Sequence, residues 1–94
     1  MSQEFEWDED KARRNKTKHR VAFEEAATVF ADPLAKIFED MDHSNGERRE
    51  IIIGHSPAGR LILVSFVERA SAIRIISARS ATKKEREDYE ENSW

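Results

Sequence analysis

Residues 72–81, AIRIISARSA, constrain what this chain can fold into more than any other stretch. Ile73, Ile75 and Ile76 are β-branched, and successive residues of an extended chain point to opposite faces, so apolar side chains fall on both pleats. A short strand that is apolar on both faces belongs inside a sheet, with cover on each side. The same stretch carries Arg74 and Arg79. A guanidinium does not stay buried unpaired, so each must reach an edge, a carboxylate or an anionic ligand. Two outcomes stand open here. Either both arginines pair with local carboxylates and stabilise the fold, or both hold phosphate.

A chain of 94 residues makes one domain, 1–94, with one modest core. Its apolar runs are far shorter than the roughly 18 residues of a membrane span, and the acidic start MSQEFEWDED does not read as a secretory signal. No cysteine is present, so disulfides and thiolate metal sites are excluded. A cytoplasmic protein is expected. The net charge of −3 argues against nucleic acid as a partner, but the charges come in blocks. Residues 11–20 hold Lys11, Arg13, Arg14, Lys16, Lys18 and Arg20 and no acid, whereas the segments before them and at the C-terminus are acidic. Such a chain can turn one basic face to RNA and one acidic face to a basic partner, or simply present solvated charges.

In chain order, Phe5 and Trp7 alternate with acids as a short strand, and Asp8 caps a basic helix that ends near Lys16 and Lys18. Phe23, Ala26, Ala27 and Phe30 form the apolar stripe of a second helix, which begins at the poor cap Ala22 and stops at Asp32-Pro33. Leu34–Glu39 reads as a strand with Ile37 and Ala35 inward. The loop from Asp40 to Gly46 reads as an ordinary turn, since its acids and His43 are too few for a calcium or zinc site. Arg49–His55, Arg60–Glu68 and the opening stretch form a meander, with Ile62, Val64 and Phe66 on one face and Leu61, Leu63 and Val67 on the other. Thr82-x-x-Glu85 is a capping box for a last helix starting near Lys83, with Tyr89 and Ala81 as its core contacts. The ends 1–3 and 92–94 should fray, with Trp94 available to a partner. The expected architecture is α+β. It has an antiparallel sheet of about four strands, two N-terminal helices and one C-terminal helix, and the N-terminal strand is a possible further edge.

Phe5, Trp7-Asp8, Lys11, Asn15, Lys18-His19, Val21, Phe23-Glu24-Glu25-Ala26, Val29-Phe30 and Asp32-Pro33 together resemble the BrnT family of toxins. So do His43, Glu47, Arg49, Ile53-Gly54, Gly59-Arg60, Glu68-Arg69, the run from Ile73 to Arg79, Glu85 and Tyr89. The likeness covers roughly residues 4–91. Two positions depart from it: Arg20 stands where the family usually has glycine, and Ala22 where a capping serine or threonine is common. The resemblance implies a RelE-like fold and a ribonuclease toxin of a type II toxin–antitoxin pair. It also implies a BrnA-like antitoxin as partner, with operator DNA reached only through that antitoxin.

Metal-free RNA cleavage needs a base for the 2′-hydroxyl, an acid for the leaving 5′-oxygen and cations around the phosphorane. His19 is the histidine beside the basic run, and an imidazole's ordinary titration range suits either proton-transfer role. Lys18 can hold phosphate. Arg69, Arg74 and Arg79 offer planar forks for phosphate oxygens, and Glu68 can act as the base or orient an arginine. Lys11, Arg14, Arg20, Arg60 and Lys83 are the candidate RNA-binding cations. Each also has a plain structural role open to it: His19 as a helix-end histidine, Glu68–Arg69 as a local ion pair, the lysines as solvated charges. His43 and His55 read as structural or surface residues, and Trp7 as core. No cofactor or metal is expected. A non-catalytic module that binds an antitoxin-like partner is the alternative function, and a small metal-dependent hydrolase is a more distant third.

Overall fold

The computed structural model describes residues 3–43 and 46–91. Among them, five strands make one sheet: β1 (Glu4–Glu6), β2 (Lys36–Glu39), β3 (Arg49–His55), β4 (Leu61–Arg69) and β5 (Ala72–Ser80), in the spatial order β1-β5-β4-β3-β2. The opening stretch of the sequence is therefore an interior strand, and β3-β4-β5 is the expected antiparallel meander. The expectation of about four antiparallel strands is corrected at one edge, where β1 pairs with β5 in parallel, Phe5 opposite Ile73. Most of the chain lies between these two strands, so no tight hairpin forces them antiparallel. Three helices complete the fold: α1 (Glu9–His19), α2 (Phe23–Thr28), which tightens into a 3-10 turn at Val29–Ala31, and α3 (Lys83–Glu90). Two expectations, Trp94 as a contact residue and the Ser44-Asn45 part of the polar loop, lie outside the described residues, as does the side chain of His43.

One irregularity decides which face each arginine takes. Arg74 and Arg79 are separated by an odd number of steps, so a regular strand would send them to opposite faces. The β4–β5 ladder slips between Ser65 and Phe66: Phe66 faces Ile75, Ser65 faces Ser77, and Ile76 is the extra residue. A bulge resets the alternation. Ile73, Ile75 and Ala78 consequently share the face packed by Phe23, Ala26 and Val29, while Arg74, Ser77 and Arg79 share the other. That second face is not covered end to end, as two-sided apolarity had suggested. Ile53, Leu61 and Leu63 are buried there against Ala81 and the α3 residue Tyr89, and Val67 is buried farther along the same face.

The helix side is a continuous core. Phe30 stacks edge-on to Phe66 with ring centroids 4.9 Å apart, and Trp7 does the same to Phe23 at 5.9 Å. Ile37 departs from its expected inward position and is 56% exposed. It sits on the edge strand β2, and the helices pack chiefly on β5. Gly54 lets the Val29–Ala35 segment approach closely, since a Cβ there would lie 2.9 Å from the Ala35 Cβ and 3.0 Å from Val29.

Two features fix α1. Asp8 caps it, accepting from the Lys11 N–H at 3.1 Å. Its far half is held by Asn15, a buried polar side chain. The Asn15 amide donates to the Ala78 carbonyl at 2.8 Å and to the Val21 carbonyl at 2.9 Å, and its oxygen accepts from the Ala78 N–H at 3.0 Å. β1 ends opposite Arg74, so this side chain continues the pairing along β5 where no strand does. Beyond Asn15, Arg20 ends the helix in the left-handed region, φ 58°. A residue with a Cβ is disfavoured there by roughly 1 kcal/mol relative to glycine. The Arg60 guanidinium secures the bend, donating to the Arg20 carbonyl at 3.0 Å while gripping both oxygens of Glu25.

Replacing Asn15 by Leu leaves the Ala78 N–H and C=O buried without partners, so urea denaturation should show a loss of roughly 2–4 kcal/mol. Arg20→Gly relieves the left-handed strain, and calorimetry should find its Tm raised by a few degrees, in line with roughly 0.5–1 kcal/mol.

Candidate active site cleft

The uncovered end of the arginine-bearing face forms an open cleft of about 360 Å³. Cross-strand register explains its lining. Ile51, Ser65 and Ser77 make one row across β3, β4 and β5, and Ile53, Leu63 and Arg79 make the next. Arg49 and Asp40 stand at the β2–β3 end, where the Asp40 N–H donates to the Arg49 carbonyl at 2.8 Å. His19 closes the opposite end from the last turn of α1. It lies four residues after Asn15 and so on the same side of the helix, which ties its position to the bonds on Ala78. The Ser65 hydroxyl is buried and makes no hydrogen bond among the described residues.

Arg79 enters this cleft already oriented. Its two terminal nitrogens donate to the two oxygens of Glu85, each at 2.8 Å, and one also reaches the Ser80 carbonyl at 3.3 Å. Of the five N–H groups of a guanidinium, these bonds use three. Glu85 also serves its own helix. It receives the Thr82 N–H at 2.8 Å, while the Thr82 hydroxyl receives the Glu85 N–H, closing the capping box of α3. One carboxylate therefore starts the helix and sets the plane of the arginine.

The other expected site residues lie elsewhere. Lys18 is exposed at the end of α1, next to His19 but not among the residues lining the cleft. Arg74 is on the same sheet face but pairs with Glu6 at 2.9 Å. Two pleat rows, roughly 14 Å, separate it from Arg79. Arg69 makes a two-pronged ion pair with Glu47 at the end of β4. Glu68 stands opposite Ile73 and so turns to the helix-covered face. Arg60 is engaged by Glu25, while Lys11, Arg14, Arg20 and Lys83 are exposed. Arg74 and Arg79 thus each have a carboxylate partner, and Arg69 takes Glu47 in place of the expected Glu68. The His55 ring stacks edge-on to Tyr89 at 5.6 Å, and the His55 backbone N–H donates to the Asp32 carboxylate at 2.8 Å, a structural role. Asp40, Arg49, Ser65 and Ser77 were not among the candidates. Only their place on the cleft side of the strand alternation could have marked them.

The Glu85 carboxyl is held at about 2, down from 4.5, chiefly by its hydrogen bond from Arg79. A carboxylate with a lower folded pKa stabilises the fold above its unfolded value and loses that effect as pH falls toward the folded one. Arg79 is 41% exposed, so screening limits the contribution to roughly 1 kcal/mol. Resistance to urea should fall between about pH 5 and pH 2 in the wild type, and Glu85→Gln should show a shallower decline over that window.

Among the described residues, no helix is long and apolar enough to cross a membrane. A family model described as the ribonuclease toxin BrnT of type II toxin–antitoxin systems matches residues 7–85. A search of curated proteins gives no match. The 1.1 Å crystal structure of the Brucella abortus ribonuclease toxin BrnT is similar to this chain, with a TM-score of 0.68 and 28% identity, over 87% of this chain and 100% of that one. With a cleft of imidazole, guanidinium and hydroxyl groups on the open face of the sheet, and a family match over most of its length, the chain belongs to the BrnT family of type II toxin–antitoxin toxins.

Proposed function

We propose that this protein is a metal-independent endoribonuclease that works in the cytoplasm, cleaves RNA and so inhibits translation, and is neutralised by a BrnA-like antitoxin. RelE-like organisation of the fold is part of the same reading. The observation that carries it is that His19 and Arg79, distant in sequence, line one open cleft. RNA's own 2′-hydroxyl is the nucleophile. Its oxygen bonds to phosphorus as its proton leaves, the bond from phosphorus to the 5′-oxygen breaks, and that oxygen takes up a proton. The products are a 2′,3′-cyclic phosphate and a 5′-hydroxyl. His19 serves one of the two proton transfers. The N–H groups of Arg79 not engaged by Glu85 and Ser80 are available to the equatorial phosphate oxygens, where charge grows in the transition state. Lys18, one residue from His19, adds a nearby cation, and Lys11, Arg14, Arg20 and Lys83 attract the polyanion from exposed positions. In this reading Arg69, Arg74, Arg60 and Glu68 act in the fold.

A binding module without catalysis is the second reading. The observation favouring it is the full clamp of Glu85 on Arg79, which resembles a structural ion pair.

Induction of the wild type alone in bacteria should arrest growth and leave cleaved transcripts. The purified protein should cleave RNA in the presence of a chelator. His19→Ala and Arg79→Ala should each slow that cleavage by about 10²–10⁴-fold. Normal growth with intact transcripts, or activity equal to wild type in both variants, would favour the binding module or a different site.

A further inference from the structure

Beside His19 the last turn of α1 opens a second hollow. Lys16, Thr17 and Arg20 line a shallow pocket of about 370 Å³ there, and all three are exposed. Lys16 lies three residues before His19, so the two are neighbours on the helix surface, with roughly 5–6 Å between their Cβ atoms. The pocket therefore adjoins the cleft across the imidazole that lines it. Among the described residues, no hydrogen bond or ion pair engages the Lys16 ammonium, the Thr17 hydroxyl or the Arg20 guanidinium. By contrast, Arg60, Arg69, Arg74 and Arg79 each meet a carboxylate, and Thr28 turns its hydroxyl to the Glu25 carbonyl of its own helix. Glu25 is brought close by the Arg60 bond to the Arg20 carbonyl, but both its oxygens are engaged by Arg60. Arg20 also holds a left-handed backbone, φ 58°, where glycine fits without strain. Cations at a helix end offset the negative end of its dipole, but Lys16 and Lys18 already stand in that turn. Neither the helix nor the bend thus needs a guanidinium at this position, and strain kept without a structural reason points to function.

We propose that Lys16, Thr17 and Arg20 form a phosphate subsite, which grips the RNA backbone where it leaves the His19 end of the cleft. The three side chains offer donors of complementary kinds. A guanidinium fork can meet both non-bridging oxygens of a phosphodiester, and an ammonium adds a point charge beside it. The hydroxyl supplies a neutral donor between them. None of these contacts reads a base, so the subsite sets the path of the strand and not its sequence. It rests on the ribonuclease reading for the phosphate at His19, but its grip on RNA needs no cleavage.

Fluorescence anisotropy with a 2′-O-methyl oligoribonucleotide, which cannot be cleaved, tests the subsite between about 50 and 200 mM salt. The wild type should bind with an affinity that falls steeply as salt rises. Arg20→Gly and Lys16→Ala should each bind about three- to tenfold more weakly at the low-salt end and flatten the logarithmic salt slope by roughly 0.7, the single-strand value for one phosphate contact. Arg20→Lys keeps the charge and should keep the slope. Thr17→Val should weaken binding about two- to threefold without changing the slope. Lys84→Ala removes an equal charge from α3, away from both hollows, and should leave affinity and slope as in the wild type. Thermal melting separates binding from folding, because Arg20→Gly should melt higher than the wild type while holding RNA less tightly. Affinities and slopes of Arg20→Gly and Lys16→Ala equal to those of Lys84→Ala overturn the subsite, even if the wild type cleaves RNA. The expected slopes in a protein that leaves cleavable RNA intact uphold the subsite and count against the ribonuclease.

Discussion

The Asn15 side chain is the interaction on which the rest depends. β5 is an interior strand, but β1 covers only its first three positions, so the backbone at Ala78 has no strand to bond. A primary amide carries a donor and an acceptor in one plane, like a peptide group, and Asn15 supplies both to Ala78. Its second N–H takes the Val21 carbonyl, so one residue joins α1, the link to α2 and β5. These bonds are buried, where an unmade one is costly. They hold the basic helix against the sheet despite its scant apolar surface, and they set His19 beside the strand that carries Arg79.

A second device works with the first. The bulge at Ile76 changes the strand's phase between Arg74 and Arg79, so β5 keeps Ile73, Ile75 and Ala78 on the helix side and both arginines off it. Position then separates their uses. Arg74 meets Glu6 of β1 and staples the parallel edge. Arg79 meets Glu85, whose capping-box role fixes it at the start of α3. A carboxylate beside an arginine lowers its net charge but also fixes its plane, and a fixed plane is what two-point recognition of phosphate needs. The same ion pair thus serves the fold and suits the proposed chemistry.

Much of the plan was legible because local rules and the global fold agree. Asp8, the Phe23–Phe30 stripe, the meander and the Thr82–Glu85 box were all readable from spacing and capping chemistry. The features that escaped depend on pairing across the chain. A parallel partner for β5 cannot be read from Phe5 alone, nor can a one-residue slip be read from a run of β-branched residues. Ile37 looked inward because its alternation is right, yet burial also needs a helix above it. The candidate site was partly legible for the same reason. His19 and Arg79 stood out by residue type and by family likeness, whereas Asp40, Arg49, Ser65 and Ser77 become neighbours only through strand register. The left-handed bend at Arg20 was visible only as a departure from a glycine, and the structure shows the same bend made with the arginine, secured by Arg60.

The central claim is that His19 and Arg79 share one anion-gripping cleft because Asn15 holds their two elements together. An NMR titration tests it most directly, using an RNA with 2′-O-methyl riboses that cannot be cleaved. Signals from the His19 ring and the Arg79 Nε–H should move together along one binding curve. In Asn15→Ala, under conditions where the protein stays folded, the two responses should weaken and separate. Response of only one of the two groups in the wild type, or curves unaltered by loss of the Asn15 amide, would contradict the account.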